Sequence, residues 1–162
     1  MLKVNMGNLN RQVLIEDFET TRENSIRACE TLEPEDYGLQ AAVFASPPKW
    51  HLAHTSWFFE TFILKPFARD YEPFHPVFEV LFNSYYNGIG EQFPRAERGL
   101  LSRPTFSKVL SYRRHVDQAM SELLSLDEHR HSETITQRCR LGIEHEKQHQ
   151  ELMYTDIKYS FS

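Results

Sequence analysis

Apolar residues recur at intervals of three and four near both ends of the chain. Between about Asn10 and Leu32, the positions Leu14, Phe18, Thr21, Ser25, Ala28 and Leu32 form one stripe, the pattern of an amphipathic helix. Glu33-Pro34 ends it, because a residue before proline is disfavoured in the helical region and proline lacks an N–H. A second helix is expected to start at SPPKW, with Ser46 as N-cap and Pro47 in the first helical position, and to run to about Leu64. Trp50, Ala53, His54, Trp57, Thr61 and Leu64 share a face. Phe58, Phe59, Phe62 and Ile63 carry the apolar character almost all round, which predicts a heavily buried helix. A third helix starts at Pro104-Thr105, with Val109, Tyr112, Val116, Ala119, Met120 and Leu123 on one side. A fourth covers roughly Ser132 to Tyr159, with an inward stripe of Ile135, Cys139, Gly142, His145, His149, Leu152 and Asp156. The connection 65–103 is long, and VFEVLFNSYYN within it predicts a short helix. There is no period-two strand pattern and no internal repeat. Four long helices, with a long crossover between the second and third, predict an all-α four-helix bundle.

Composition supports one globular domain over residues 1–162. All eight prolines lie between Pro34 and Pro104, which leaves both ends free to be helical. A chain this long buries roughly 70% of its unfolded surface without needing staples. The net charge of −5 and the lack of a basic stripe argue against a nucleic-acid partner. No apolar run approaches the roughly 20 residues that span a bilayer, so no membrane partner is expected. The N-terminus has no continuous apolar segment of the secretory kind, so a cytoplasmic location is expected. Cys29 and Cys139 then read as free thiols.

The chemistry concentrates on the fourth helix. His145 and His149 are four apart, so their rings project from one face a turn apart, a spacing that suits two imidazoles on one divalent cation. They stand where a core stripe calls for apolar residues. His54 on the second helix shares the inward stripe with Trp50 and Trp57 and is the preferred third ligand over His51, which is displaced to one side. Three neutral imidazoles without carboxylate or thiolate fit Fe(II), Zn, Ni or Co and leave coordination positions open. HEKQH also matches the literal HExxH pattern, which keeps zinc hydrolysis in view. Gly142, one turn before His145, reads with equal weight as close approach of another helix or a ligand and as a simple packing requirement. His75, His115, His129 and His131 read as loop or surface residues.

The segments KWHLAHTSWFFE, FNSYYNGIGEQFPRAERGLLSRPT and HEKQHQELMYTDIK, in that order, resemble the N-terminal DinB-like domain of the ergothioneine-synthesising sulfoxide synthases (hercynine oxygenases). The resemblance implies a DinB-like four-helix bundle holding a mononuclear non-haem iron on His54, His145 and His149. It implies that Gln148 positions an imidazole substrate and that Arg95 and Arg98 bind carboxylates of a thiol substrate. The implied reaction joins the thiol sulfur to the imidazole C2 of N-α-trimethylhistidine with O₂, giving a sulfoxide. In that family a C-terminal domain similar to the formylglycine-generating enzymes closes over the iron and brings the catalytic tyrosine. This chain stops at YTDIKYSFS, so the expectation is a metal-binding half lacking that domain and incomplete as a catalyst by itself. Tyr154 and Tyr159 are not read as the catalytic tyrosine. The expected partners are the two small-molecule substrates, the missing domain or a second chain supplying it, and a homodimer formed through apolar surface left uncovered. Other readings are selenoneine- or ovothiol-type chemistry, a stand-alone DinB-like metal-dependent transferase or hydrolase, and a metal-free helical interaction module.

Overall fold

The computed structural model describes residues 6–84, 88, 90–126 and 129–162. Four long helices form a bundle: α1 (Met6–Arg27), α2 (Pro48–Phe59), α5 (Phe106–Ser125) and α6 (Ser132–Ser160). Two short helices, α3 (Lys65–Phe67) and α4 (Phe78–Leu81), lie in the crossover between α2 and α5, and no strand occurs among the described residues. Tyr85, Tyr86 and Asn87 of the expected crossover helix lie outside the described residues. No helix is long and apolar enough to cross a membrane.

α2 is the central element. All twelve of its residues are buried, and it packs against both α5 and α6. It starts one residue later than expected. Pro48 takes the first helical position, and Pro47, extended at ψ 145° because a proline follows it, becomes the N-cap. Ser46 is therefore not the cap; its N–H donates to Asp156 Oδ2 at 2.9 Å and its hydroxyl accepts from Arg98 at 2.9 Å.

The helix does not stop cleanly at Leu64. It passes through one π-helical stretch, Glu60–Leu64, into α3. The wider turn brings Glu60 into the core together with Ile63 and Leu64. There the Glu60 carboxylate accepts from the Tyr71 and Tyr112 hydroxyls, both at 2.6 Å, and from the Phe74 N–H at 3.1 Å. The first helix ends earlier than the periodicity suggested, at Arg27, with Ala28 to Leu32 continuing as turns. Thr105 caps α5 by accepting from the Lys108 N–H.

The core face of α6 is Ile135, Cys139, Gly142, Ile143, Glu146 and Met153. Leu152, expected inside, is exposed, and Met153 takes the inward position. At 3.6 residues per turn, five turns from Ile135 return at Met153 and not at Leu152, so the helix period itself selects Met153.

Gly142 is explained by packing alone. A Cβ there would lie 2.5 Å from Cε1 of Phe59 and 3.1 Å from Cε1 of Phe58, so α2 and α6 cross at this point with aromatic rings against backbone. Gly142→Ala should therefore destabilise the fold by about 1–3 kcal/mol through overpacking, outweighing the ~1 kcal/mol that alanine gains in helix propensity. A urea midpoint at or above the parent value would refute this close approach. Cys29 and Cys139 are unpaired and buried, and burial pushes both thiols up to about 12.

Candidate metal centre

His54, His145 and His149 meet where α2 faces α6. Each offers one ring nitrogen, and these atoms all lie within 4.8 Å of one another. His54 Nε2 and His145 Nε2 are 3.2 Å apart. Burial pushes all three imidazoles below their ordinary range, His145 to about 4, and the facing rings push His54 and His149 further down. At neutral pH they are uncharged, the form that ligates a metal.

Each ring is set by what surrounds it. His54 lies between two indoles, with its ring stacked on Trp50 at 4.6 Å and on Trp57 at 5.5 Å. Its Nδ1–H donates to the Phe82 carbonyl at 2.6 Å, which leaves Nε2 as the lone-pair nitrogen turned to the cluster. The Trp50 and Trp57 indole N–H groups donate to the carbonyls of Leu81 and Glu79, both at 3.1 Å. Three donors spaced along one face of α2 thus satisfy carbonyls at the C-terminal end of α4, which a helix terminus leaves without partners. The crossover is thereby tied to the site: α4 fixes the tautomer of His54.

His149 Nδ1 lies 2.9 Å from His51 Nδ1, and His51 Nε2 lies 2.9 Å from Asp156 Oδ2. His51 is therefore beside the cluster and not one of its three members. His145 differs from both. Its Nδ1 is buried and has no hydrogen-bond partner among the described residues. With the His54 lone pair on Nε2, the 3.2 Å contact is made by an N–H on His145 Nε2, and the His145 Nδ1 left bare is a costly group in a protein interior. Three uncharged ring nitrogens within 4.8 Å of one another, each able to offer a lone pair, are a donor set that fits a divalent cation.

The literal HExxH pattern does not carry hydrolase chemistry here. The zincin mechanism needs the glutamate as a base at the metal. Glu146 instead points into the bundle. Its Oε2 accepts from Arg22 Nη1 at 2.9 Å, and its Oε1 accepts from Arg113 Nη2 at 2.9 Å and from the Ser25 hydroxyl at 2.6 Å. Burial alone would raise its pKa, but the two guanidiniums and the Ser25 bond outweigh burial and hold it near about 2. Arg22 also bonds Ser56 and Asp117, while Arg113 bonds Thr55 and the Leu52 carbonyl. One charged network therefore joins all four long helices directly behind the histidines.

The residues expected to hold substrate are placed differently from one another. Gln148 is exposed and follows His145 by one turn, on an α6 face that also carries the exposed Leu141 and Leu152. Arg95 is exposed at the start of the 3₁₀ turn Arg95–Leu100, with Nη1 3.4 Å from the Phe44 carbonyl. Arg98, on the same turn, is buried. Its guanidinium lies 3.3 Å over the Trp50 ring and donates to the hydroxyls of Ser46 at 2.9 Å and Ser84 at 3.1 Å. Arg98, Trp50, His54 and Trp57 form one stack, so this arginine sets the charge beside the histidines. Gln40 ties the turn down, accepting from the Gly99 N–H and donating to the Arg95 carbonyl. Sequence reasoning missed Arg22 and Arg113, because isolated charged residues on a helix read as its solvated face; it weighed His51 only as a less favoured ligand and placed Asp156 on the inward stripe without giving it a role.

Four helices and three converging imidazoles define an all-helical bundle with a site that can hold a metal. The DinB superfamily pattern matches residues 17–153, a span that includes all three histidines, and the chain belongs to that family. Among curated proteins nothing matches the chain.

Proposed function

We propose that this DinB domain is the metal-binding part of a non-haem iron sulfoxide synthase that joins a thiol to N-α-trimethylhistidine. The observation that carries the reading is the donor set, three neutral imidazoles from two helices with no carboxylate or thiolate among them. Such a set leaves Fe(II) its full charge and open positions for a thiolate, an imidazole and O₂. The resemblance of the three segments around His54, Arg95 and His149 supplies the substrate class.

In this reading the chain's own residues bind and orient. The Arg98 stack keeps positive charge beside the cluster, which favours an anionic sulfur. Arg95, exposed on the turn next to it, takes a carboxylate of the thiol substrate. Gln148 offers an amide to the imidazole substrate from the turn after His145. Metal-dependent hydrolysis by a stand-alone domain has less support, since Glu146 is committed to Arg22 and Arg113.

Anaerobic titration of the Fe(II)-loaded chain with cysteine and with N-α-trimethylhistidine tests the proposal. Both should bind, and Arg95→Ala should weaken cysteine by roughly tenfold, the scale of one charge-assisted contact, with iron content unchanged. An iron-loaded chain that binds neither compound would overturn the reading.

A further inference from the structure

His51 is 4% exposed, belongs to no part of the proposed chemistry, and uses both of its ring nitrogens. A carboxylate only accepts, so the proton on His51 Nε2 goes to Asp156 Oδ2. In the neutral ring Nδ1 is then an acceptor, and the proton between the two histidines belongs to His149 Nδ1. That leaves His149 Nε2 as its lone-pair nitrogen. Asp156 is itself held, because the same oxygen accepts the Ser46 N–H at 2.9 Å.

We infer that Asp156 and His51 are positioning residues that lock His149 in one tautomer and so present its Nε2 to a divalent cation. The inference rests on the metal-centre reading given above. The Phe82 carbonyl does the same for His54. Among the described residues His145 Nδ1 has no such partner, so two of the three imidazoles are preset before any metal arrives. Hydrogen-bonded partners of this kind typically change metal affinity 10- to 100-fold.

The test compares the parent chain with His51→Leu, His51→Asn and Asp156→Ala, using Zn(II) as a diamagnetic probe. Imidazole ¹⁵N shifts of the metal-free parent should show His149 protonated on Nδ1 and unprotonated on Nε2. His51→Leu removes the acceptor; the two His149 tautomers should then mix and the Zn(II) dissociation constant should rise about 10- to 100-fold. His51→Asn places an amide oxygen where Nδ1 stood and should restore affinity to near the parent value. Asp156→Ala removes the oxygen that accepts from His51 Nε2 and should weaken binding in the same direction as His51→Leu, with helical circular dichroism reporting that the chain is folded. Finding His149 protonated on Nε2 in the parent would overturn the inference. So would a folded His51→Leu or Asp156→Ala chain that binds Zn(II) as the parent does. A parent chain that binds no Zn(II), yet shows the expected tautomer, would refute the metal-centre reading and leave the hydrogen-bond lock intact.

Discussion

Glu146→Ala is expected to cost about 3–5 kcal/mol of folding stability, the usual penalty for removing one partner of a buried ion pair. The substitution leaves two guanidiniums, Arg22 and Arg113, in the interior without their shared carboxylate. Arg22 keeps Asp117, whose carboxylate is about one-third exposed, while Arg113 keeps only neutral acceptors. The loss is large against a total stability of about 5–15 kcal/mol for a domain of this kind. Glu146→Gln should cost less, because the amide oxygen can still accept from one of the donors. Urea denaturation followed by helical circular dichroism measures both. A midpoint unchanged by Glu146→Ala would show that the network adds nothing to the fold.

His145→Ala should abolish metal binding while the metal-free chain stays folded, with a loss of stability much smaller than that of Glu146→Ala. Two observations set this combination. His145 Nδ1 is buried with no partner among the described residues, and its Nε2 makes one contact, with His54 Nε2 at 3.2 Å, so removing the ring breaks a single hydrogen bond and relieves one unsatisfied group. The same ring supplies one of the three converging nitrogens. A cation present at a hundred times its dissociation constant stabilises the parent by about 2.7 kcal/mol, since it binds only the folded state. The variant should show none of that gain. His54→Ala would mix two effects, because it also empties the slot between Trp50 and Trp57 and frees the Phe82 carbonyl. A metal-dependent rise in melting temperature that survives His145→Ala would remove this residue from the site.

The helices were legible because period alone reports them. The stripes through Leu14, Phe18, Val109, Tyr112 and Ile135 become the buried faces of α1, α5 and α6. The spacing of His145 and His149 places them on one side of α6, and the stripe from Trp50 to Trp57 carries His54 towards them. Local rules failed where tertiary partners decide. Ser46 has the chemistry of a cap but serves Arg98 and Asp156 instead. Glu146 reads as the glutamate of an HExxH pattern until Arg22 and Arg113 arrive from helices more than thirty residues away in sequence and claim its carboxylate. The π-turn at Glu60 exists because Tyr71, Phe74 and Tyr112 converge on its carboxylate, and no pattern near Glu60 encodes them. Gly142 announced a close approach, but only the rings of Phe58 and Phe59 show that a helix makes it.

The central claim is that His54, His145 and His149 hold one metal ion. Its most direct test is anaerobic titration of metal-free protein with Fe(II), counting bound iron per chain beside a His145→Ala control. The account predicts one tightly bound iron in the parent and none in the control. Absence of binding in the parent, or equal binding in both, would contradict it.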